Sequence, residues 1–248
     1  MIGSKIIELP GVDSTNDYAA TLISKGKPAE GTVIWALEQF QGRGQNGNHW
    51  YSEPGRNLTF TVILTPRFLP PDRQFLLNKA ISLGVLDFAG LSGLCHPVSS
   101  IKWPNDIYIG IRKLGGILIN HRIIGESLDS SIIGIGININ QEIFHDDLPN
   151  PVSMKQITGK ETDLGAALDQ LCSQLDKRYT SLRTGDIAAI ERDYTHSLLG
   201  FGEWREFVAG DTCFEGRIEG VDDLGRLLVE KKNHGLQSYN HKEIEIIL

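Results

Sequence analysis

Apolar residues along this chain recur at two spacings, and the switches between them divide it into short elements. Ile6 to Leu9, Thr32 to Leu37 and Asn57 to Leu64 read as strands, the latter two rich in β-branched residues. After the first strand, Asp13-Ser14-Thr15-Asn16 offers several N-cap candidates. Ala19, Leu22 and Ile23 then mark one helical face, which predicts a helix ending near Gly26. From Asp72 to Leu91 the residues Phe75, Leu76, Ala80, Leu83, Leu86 and Ala89 recur at helical spacing. Four short strands follow: Val98 to Trp103, Ile107 to Ile109, Gly116 to Ile119 and Ser131 to Ile139. Turn signals separate them at Pro104-Asn105-Asp106, Gly110 and His121 to Gly125. Such gaps suit hairpins rather than crossovers, so the sheet is expected to be largely antiparallel.

A second amphipathic helix starts at the Thr162/Asp163 cap, carries Leu164, Leu168, Leu171, Leu175 and Leu182 on one face, and ends near Gly185. A shorter helix covers Ile187 to about Thr195. Beyond Leu199-Gly200-Phe201-Gly202 the pattern changes to the β runs Arg205 to Val208, Cys213 to Ile218, Leu227 to Val229 and Ile244 to Leu248, broken by Asp/Gly turns. The expected organisation is an α+β domain over 1–200 and a small β-barrel over 201–248.

Composition narrows the function classes. The 248 residues are 40% hydrophobic and 22% charged, which supplies a sizeable core and excludes disorder and collagen-like repetition. The net charge of −7 is repelled by a phosphate backbone, so sequence-wide nucleic-acid binding is not expected. Cys95, Cys172 and Cys213 are odd in number and widely spaced, which reads as reduced thiols in a cytoplasmic protein. No apolar run approaches the ~20 residues that cross a bilayer, and the N-terminus carries no export signal.

The 27 glycines exceed the usual share. Gly42, Gly44 and Gly47 have the G-x-G-x-x-G spacing of a dinucleotide fingerprint. That fingerprint needs a helix directly after it, whereas Asn48, His49, Trp50, Pro54 and Gly55 break helices and no acidic residue stands about 20 positions on. Without Gly-Lys-Ser/Thr it is no P-loop either. What remains is a loop of backbone N–H groups around one cation, Arg43, suited to an anion or simply solvated.

Taken together, VDSTN (12–16), GRGQNGNHW (42–50), KWPNDIY (102–108), KLGGIL (113–118) and GIGININ (134–140) resemble the biotin protein ligases, in the family's order and over essentially the whole chain. The resemblance implies a central mixed sheet packed on helices, as in class II synthetases and lipoate ligases, with an SH3-like C-terminal barrel. It implies activation of biotin by ATP to biotinyl-5′-AMP, with Mg²⁺ bridging phosphates, and transfer of biotin to one lysine of a carboxylase's carrier domain. Two anions must meet in the first step, so cations and N–H donors are its main requirement.

The family's roles carry over by position. Ser14, Thr15, Asn16 and Gln39 fall where relatives bind the biotin ureido ring, although Ser14 and Thr15 also suit a helix cap. Gly42, Arg43, Gly44 and Gln45 form the loop over biotin. Arg43 and Lys113 match the pair that holds the biotin carboxylate and then the acyl phosphate. Gly115 and Gly116 suit close approach to the valeryl chain, or a strand bulge. Lys102 matches a triphosphate contact, with Asn105, Trp50 and Asn138 on the nucleotide side. Asp106 matches the group that orients and deprotonates the acceptor lysine, and it also suits a β-turn.

Two departures stand out. Gln45, Asn46 and Asn48 occupy loop positions that are often arginine in the family, leaving one formal positive charge there. That predicts either weaker retention of the adenylate or compensation from Lys113 and the N–H groups. The regulatory members' N-terminal DNA-binding domain has no counterpart ahead of LPGVDSTN, so the expected protein is a ligase without repressor activity. Alternatives are a lipoate or octanoyl ligase of the same fold and a non-catalytic biotin or nucleotide sensor. Many relatives pair through the central sheet, which makes a homodimer the assembly to test.

Overall fold

A computed structural model describes residues 1–94 and 98–248; Cys95 lies outside them. Two sheets organise the chain. The larger has seven strands in the order β1-β2-β3-β7-β6-β5-β4: β1 (Lys5–Leu9), β2 (Thr32–Ala36), β3 (Leu58–Leu64), β4 (Ser99–Lys102), β5 (Asp106–Ile109), β6 (Arg112–Ile124) and β7 (Ser127–Ile137). Within it only β1 and β2 run parallel, because helix α1 (Thr15–Lys25) carries the chain back between them.

The central strands β2 and β3 are buried along their whole length, and successive residues serve opposite faces. Ile34 and Ile63 meet Ala19 of α1 on one face. Val33, Trp35, Leu58, Phe60, Val62 and Leu64 enter the main core on the other. That core is closed by α2 (Phe75–Leu91), α4 (Leu164–Arg183) and α5 (Ile187–His196). Helix α2 is apolar nearly all round because α4, α5 and the sheet surround it. Truncating its fully buried Leu77 to alanine should cost about 2–5 kcal/mol.

The second sheet is antiparallel, in the order β11-β10-β9-β8-β12: β8 (Trp204–Ala209), β9 (Thr212–Val221), β10 (Leu227–Lys231), β11 (Gly235–Tyr239) and β12 (Glu245–Ile246). Its Phe207, Ile218, Leu227, Val229, Ile244 and Ile246 belong to the same buried cluster as the first sheet, so the two share one core.

Several elements differ from the sequence pattern. Residues His121 to Gly125, expected as a turn, mostly continue β6, and the hairpin closes at Gly125-Glu126. Asn120, His121 and Arg122 conceal the strand because backbone pairing with β7, not apolar alternation, holds it. The segment expected to open α2 at Asp72 is a separate 3₁₀ turn, Pro71–Arg73. Helix α3 (Met154–Thr158) rests on a Ser153/Gln156 capping box, and β11 is exposed apart from Tyr239; both lack the periodicity that would announce them.

Candidate functional site

Residues paired directly across neighbouring strands point to the same side of a sheet, so the register lays out a floor. One row runs Thr59 on β3, Gly136 on β7, Gly116 on β6, Asp106 on β5 and Lys102 on β4. The next holds Thr61, Gly134 and Leu118. Bulk goes to the core side, where Phe60, Ile135 and Ile117 pair, while small residues hollow the opposite face. Above this floor lies a cavity of about 930 Å³ that continues to the second sheet.

Lys113 joins this face through a β-bulge. Pairing shifts at Ile107/Tyr108, so that Ile107 opposes Gly115 and Tyr108 opposes Lys113, leaving Leu114 as the extra residue, fully buried. In a regular strand Lys113, three positions from Gly116, would point to the other side. Its backbone is fastened as well: the Lys113 N–H donates to Asn150 C=O at 2.7 Å, and its C=O accepts from the Val152 N–H at 2.9 Å. The Lys113 ammonium donates to Asp106 Oδ2 at 2.6 Å, with both side chains about 30% exposed.

The turn that presents Asp106 is held from below. Tyr194, fully buried on α5, donates its hydroxyl to Pro104 C=O at 2.6 Å. Burial pushes that phenol well above its usual pKa, so it stays a donor. Trp103 Nε1 donates to Gly225 C=O at 3.0 Å and ties the turn to the second sheet. Asn105 donates to Ile117 C=O, so its side chain lies beneath the floor rather than in the cavity. Beside Asp106, Tyr108 is pushed up to about 12 by burial and then by the charges of Asp106 and Glu245.

Helix α1 supplies a wall. Ser14 occupies the N-cap position, yet its side chain makes no capping bond. Gln39 caps the helix instead, its Oε1 accepting from the Thr15 N–H at 2.8 Å and from the Thr15 hydroxyl at 3.0 Å. The Thr61 hydroxyl stands 2.8 Å from Thr15 Oγ1 and also bonds Asn16 Oδ1. Ser14, Thr15 and Asn16 are buried and line the cavity.

The glycine loop is a narrow hairpin rather than a loose strap. The Trp50 N–H donates to Gly42 C=O at 3.0 Å, the Gly44 N–H to Asn48 C=O at 2.7 Å, and Arg43 pairs with His49. A Cβ on Gly42 would strike the Trp50 carbonyl oxygen, so glycine is needed there for close approach. The hairpin lays Trp50 on the floor against Gly136, whose added Cβ would collide with the indole, while a Cβ at Gly134 would meet the Asn16 amide. Trp50 Nε1 is buried without a protein partner, a donor available to a ligand.

Of the residues singled out from sequence, Ser14, Thr15, Asn16, Gln39, Arg43, Gly44, Gln45, Trp50, Lys102, Asp106, Lys113, Gly116 and Asn138 line this cavity; Gly42, Gly115 and Asn105 do not. Gly115 serves the sheet instead, since its Cβ would stand 2.7 Å from Gly136 O. Sequence reasoning passed over Thr61, the Phe144 to Pro151 side of the cavity, and the rim from His241 to Ile246. The irregular 144–151 segment offers no pattern to find it by, and the rim is brought in by the second sheet.

Comparisons with known proteins give the family. Residues 9–138 match the model of the biotin/lipoate A/B protein ligase family. A Bacillus subtilis protein named bifunctional ligase/repressor BirA is 31% identical over 99% of this chain and 75% of its own length. A Paracoccus denitrificans biotin--[acetyl-CoA-carboxylase] ligase is 30% identical over 89% of this chain and 92% of its own. The structure of an Aquifex aeolicus biotin protein ligase with biotin and ATP superposes with a TM-score of 0.80 at 24% identity, covering 98% and 99% of the two chains. That likeness extends the shared fold across both sheets, including the SH3-like C-terminal part. The chain belongs to the biotin/lipoate A/B protein ligase family.

Proposed function

We propose that this chain activates biotin with ATP to biotinyl-5′-AMP, releasing pyrophosphate, and then transfers biotin to a lysine of a carboxylase's carrier domain, releasing AMP. The observation that carries this reading is the gathering of Arg43, Lys102 and Lys113 around one cavity, beside a polar wall of buried Ser14 and Thr15 and half-buried Gln39. A ureido ring needs hydrogen-bond partners, which this wall supplies. The dithiolane of lipoate offers this polar wall no hydrogen-bond partners of its own.

In the first half-reaction the biotin carboxylate attacks the α-phosphorus and pyrophosphate leaves. Arg43 and Lys113 neutralise the carboxylate and α-phosphate as they meet, Lys102 takes the departing phosphates, and the Trp50 indole Nε1 and Asn138 face the nucleotide. In the second, the acceptor amine attacks the acyl carbon and AMP departs. The amine must first lose its proton, and Asp106 is placed to accept it. Its bond to Lys113 ties the two steps together: as the ammonium turns to the acyl phosphate, the carboxylate is released to serve as base.

ATP enters as its magnesium complex in this scheme. The ion would be held by phosphate oxygens, with few protein ligands. The catalytic part spans 1–200 and the SH3-like part 201–248. Among the described residues no helix is long and apolar enough to cross a membrane, and the free thiols of Cys172 and Cys213 support a cytoplasmic setting. Pairing of two copies through the sheet, where β1 and β4 are edge strands, is to be tested by sedimentation.

The deciding experiment incubates the protein with MgATP, a carrier domain and labelled biotin or lipoate, and looks for label on the carrier lysine. Biotin transfer supports the proposal. Transfer of lipoate alone selects a lipoate ligase, and binding without transfer selects a sensor.

A further inference from the structure

Arg43, Lys102 and Lys113 each hold a carboxylate of this chain: Lys113 bonds Asp106 at 2.6 Å, Lys102 meets Glu245 at 3.5 Å, and Arg43 bonds Asp17 at 2.6 Å. The first two partners line the cavity themselves, whereas Asp17 does not. It sits in the first turn of α1, directly after the buried Asn16, with a half-exposed side chain. Arg43, the one lysine or arginine in the 42–50 loop, is therefore drawn to a carboxylate beside the cavity rather than within it.

We propose that Asp17 is a competing counter-ion that sets how firmly Arg43 holds an anionic ligand. This rests on the reading of the cavity as the adenylate site. An acyl phosphate that takes the guanidinium must take it from Asp17, so part of the attraction goes to breaking an existing pair. A loop with several arginines would keep a second cation for the ligand, but here Gln45, Asn46 and Asn48 add none.

The test follows release of biotinol-5′-AMP, a stable stand-in for the adenylate, by stopped flow from wild type, Asp17→Asn and Asp17→Glu. Asp17→Asn is expected to slow release about two- to fivefold, the range an exposed ion pair supports. Asp17→Glu, which keeps the charge, should return to wild type. The gap should close in 1 M salt, where the screening length falls to about 3 Å. A structural role for Asp17 would not respond to salt in this way. Equal off-rates for wild type and Asp17→Asn, faster release from Asp17→Asn, or a gap undiminished by salt would each overturn the proposal. If wild type does not bind biotinol-5′-AMP at all, the functional reading falls and takes this inference with it; binding by wild type with no effect of Asp17→Asn removes the inference alone.

Discussion

Gly136→Ala tests the floor of the cavity most directly. The new Cβ would stand 2.7 Å from Trp50 Cζ2 and Nε1, and closer still to Cε2. Carbon atoms rest at about 3.5–4.0 Å, so the indole must retreat by about 1 Å or more. Trp50 Nε1 has no protein partner to resist that movement, and the ring should lift off the floor rather than force β7 out of register. Overpacking of this kind costs about 1–3 kcal/mol. Taken wholly from ligand affinity, that is roughly a 5- to 150-fold weaker Kd; taken wholly from stability, it lowers Tm by about 2–4 °C per kcal/mol in a chain of this size. The assay is a double-mutant cycle of Gly136→Ala and Trp50→Ala, read by calorimetric titration with ATP and by thermal melting. If the clash is the cause, Gly136→Ala should cost little once Trp50 is gone, giving a coupling of about 1–3 kcal/mol. An equal cost in both backgrounds would refute the account of why position 136 is glycine.

Three further outcomes follow from the same geometry. Lys113→Ala should abolish adenylate formation, measured by pyrophosphate exchange, whereas Asp106→Asn should spare exchange and slow transfer to the carrier; unchanged transfer would remove Asp106 from the second step. Tyr194→Phe leaves Pro104 C=O with only the Asn78 amide at 3.5 Å, so stability should fall by about 1–3 kcal/mol, and a melting point equal to wild type would contradict this. Lys79 is buried, and desolvation lowers its pKa despite the opposing charge of Glu191. Between that lowered value and 10.5 the unfolded chain holds the proton that the native state has released, so this residue's contribution to stability rises with pH in that window. Urea titrations at pH 8 and 10 should show a steeper rise for wild type than for Lys79→Met; parallel responses would count against it.

The parts of the site legible in the sequence are those that local chemistry writes into consecutive residues. Ser14-Thr15-Asn16 announced a helix start, KWPND a turn, and GIGIN a strand with two small residues on one face. Pairwise relations were not written there. Gln39 stands 24 positions from the Thr15 N–H it caps, and no local pattern links them. Asn105 belongs to the KWPND run yet turns beneath the floor, because the backbone that puts Asp106 in the Gly116 row aims the preceding side chain at Ile117 C=O.

The bulge at Leu114 shows why motif and mechanism can be separated by one residue. With period-2 alternation, Lys113 and Gly116 belong to opposite faces, so the KLGG run read alone puts its lysine away from its second glycine. One extra residue reverses this, and only the ladder between β5 and β6 carries it. Leu114 is held by the core, and the Lys113 backbone is clamped by the 150–152 segment, so the shift is built from contacts distant in sequence. The result is that the ammonium, the Asp106 carboxylate and the opening above Gly116 meet at a single point of the floor. A substitution that let β6 regain regular pairing would leave every motif residue in place and still turn the ammonium away from the carboxylate, so the meeting of these two groups is a property of strand register as much as of residue identity.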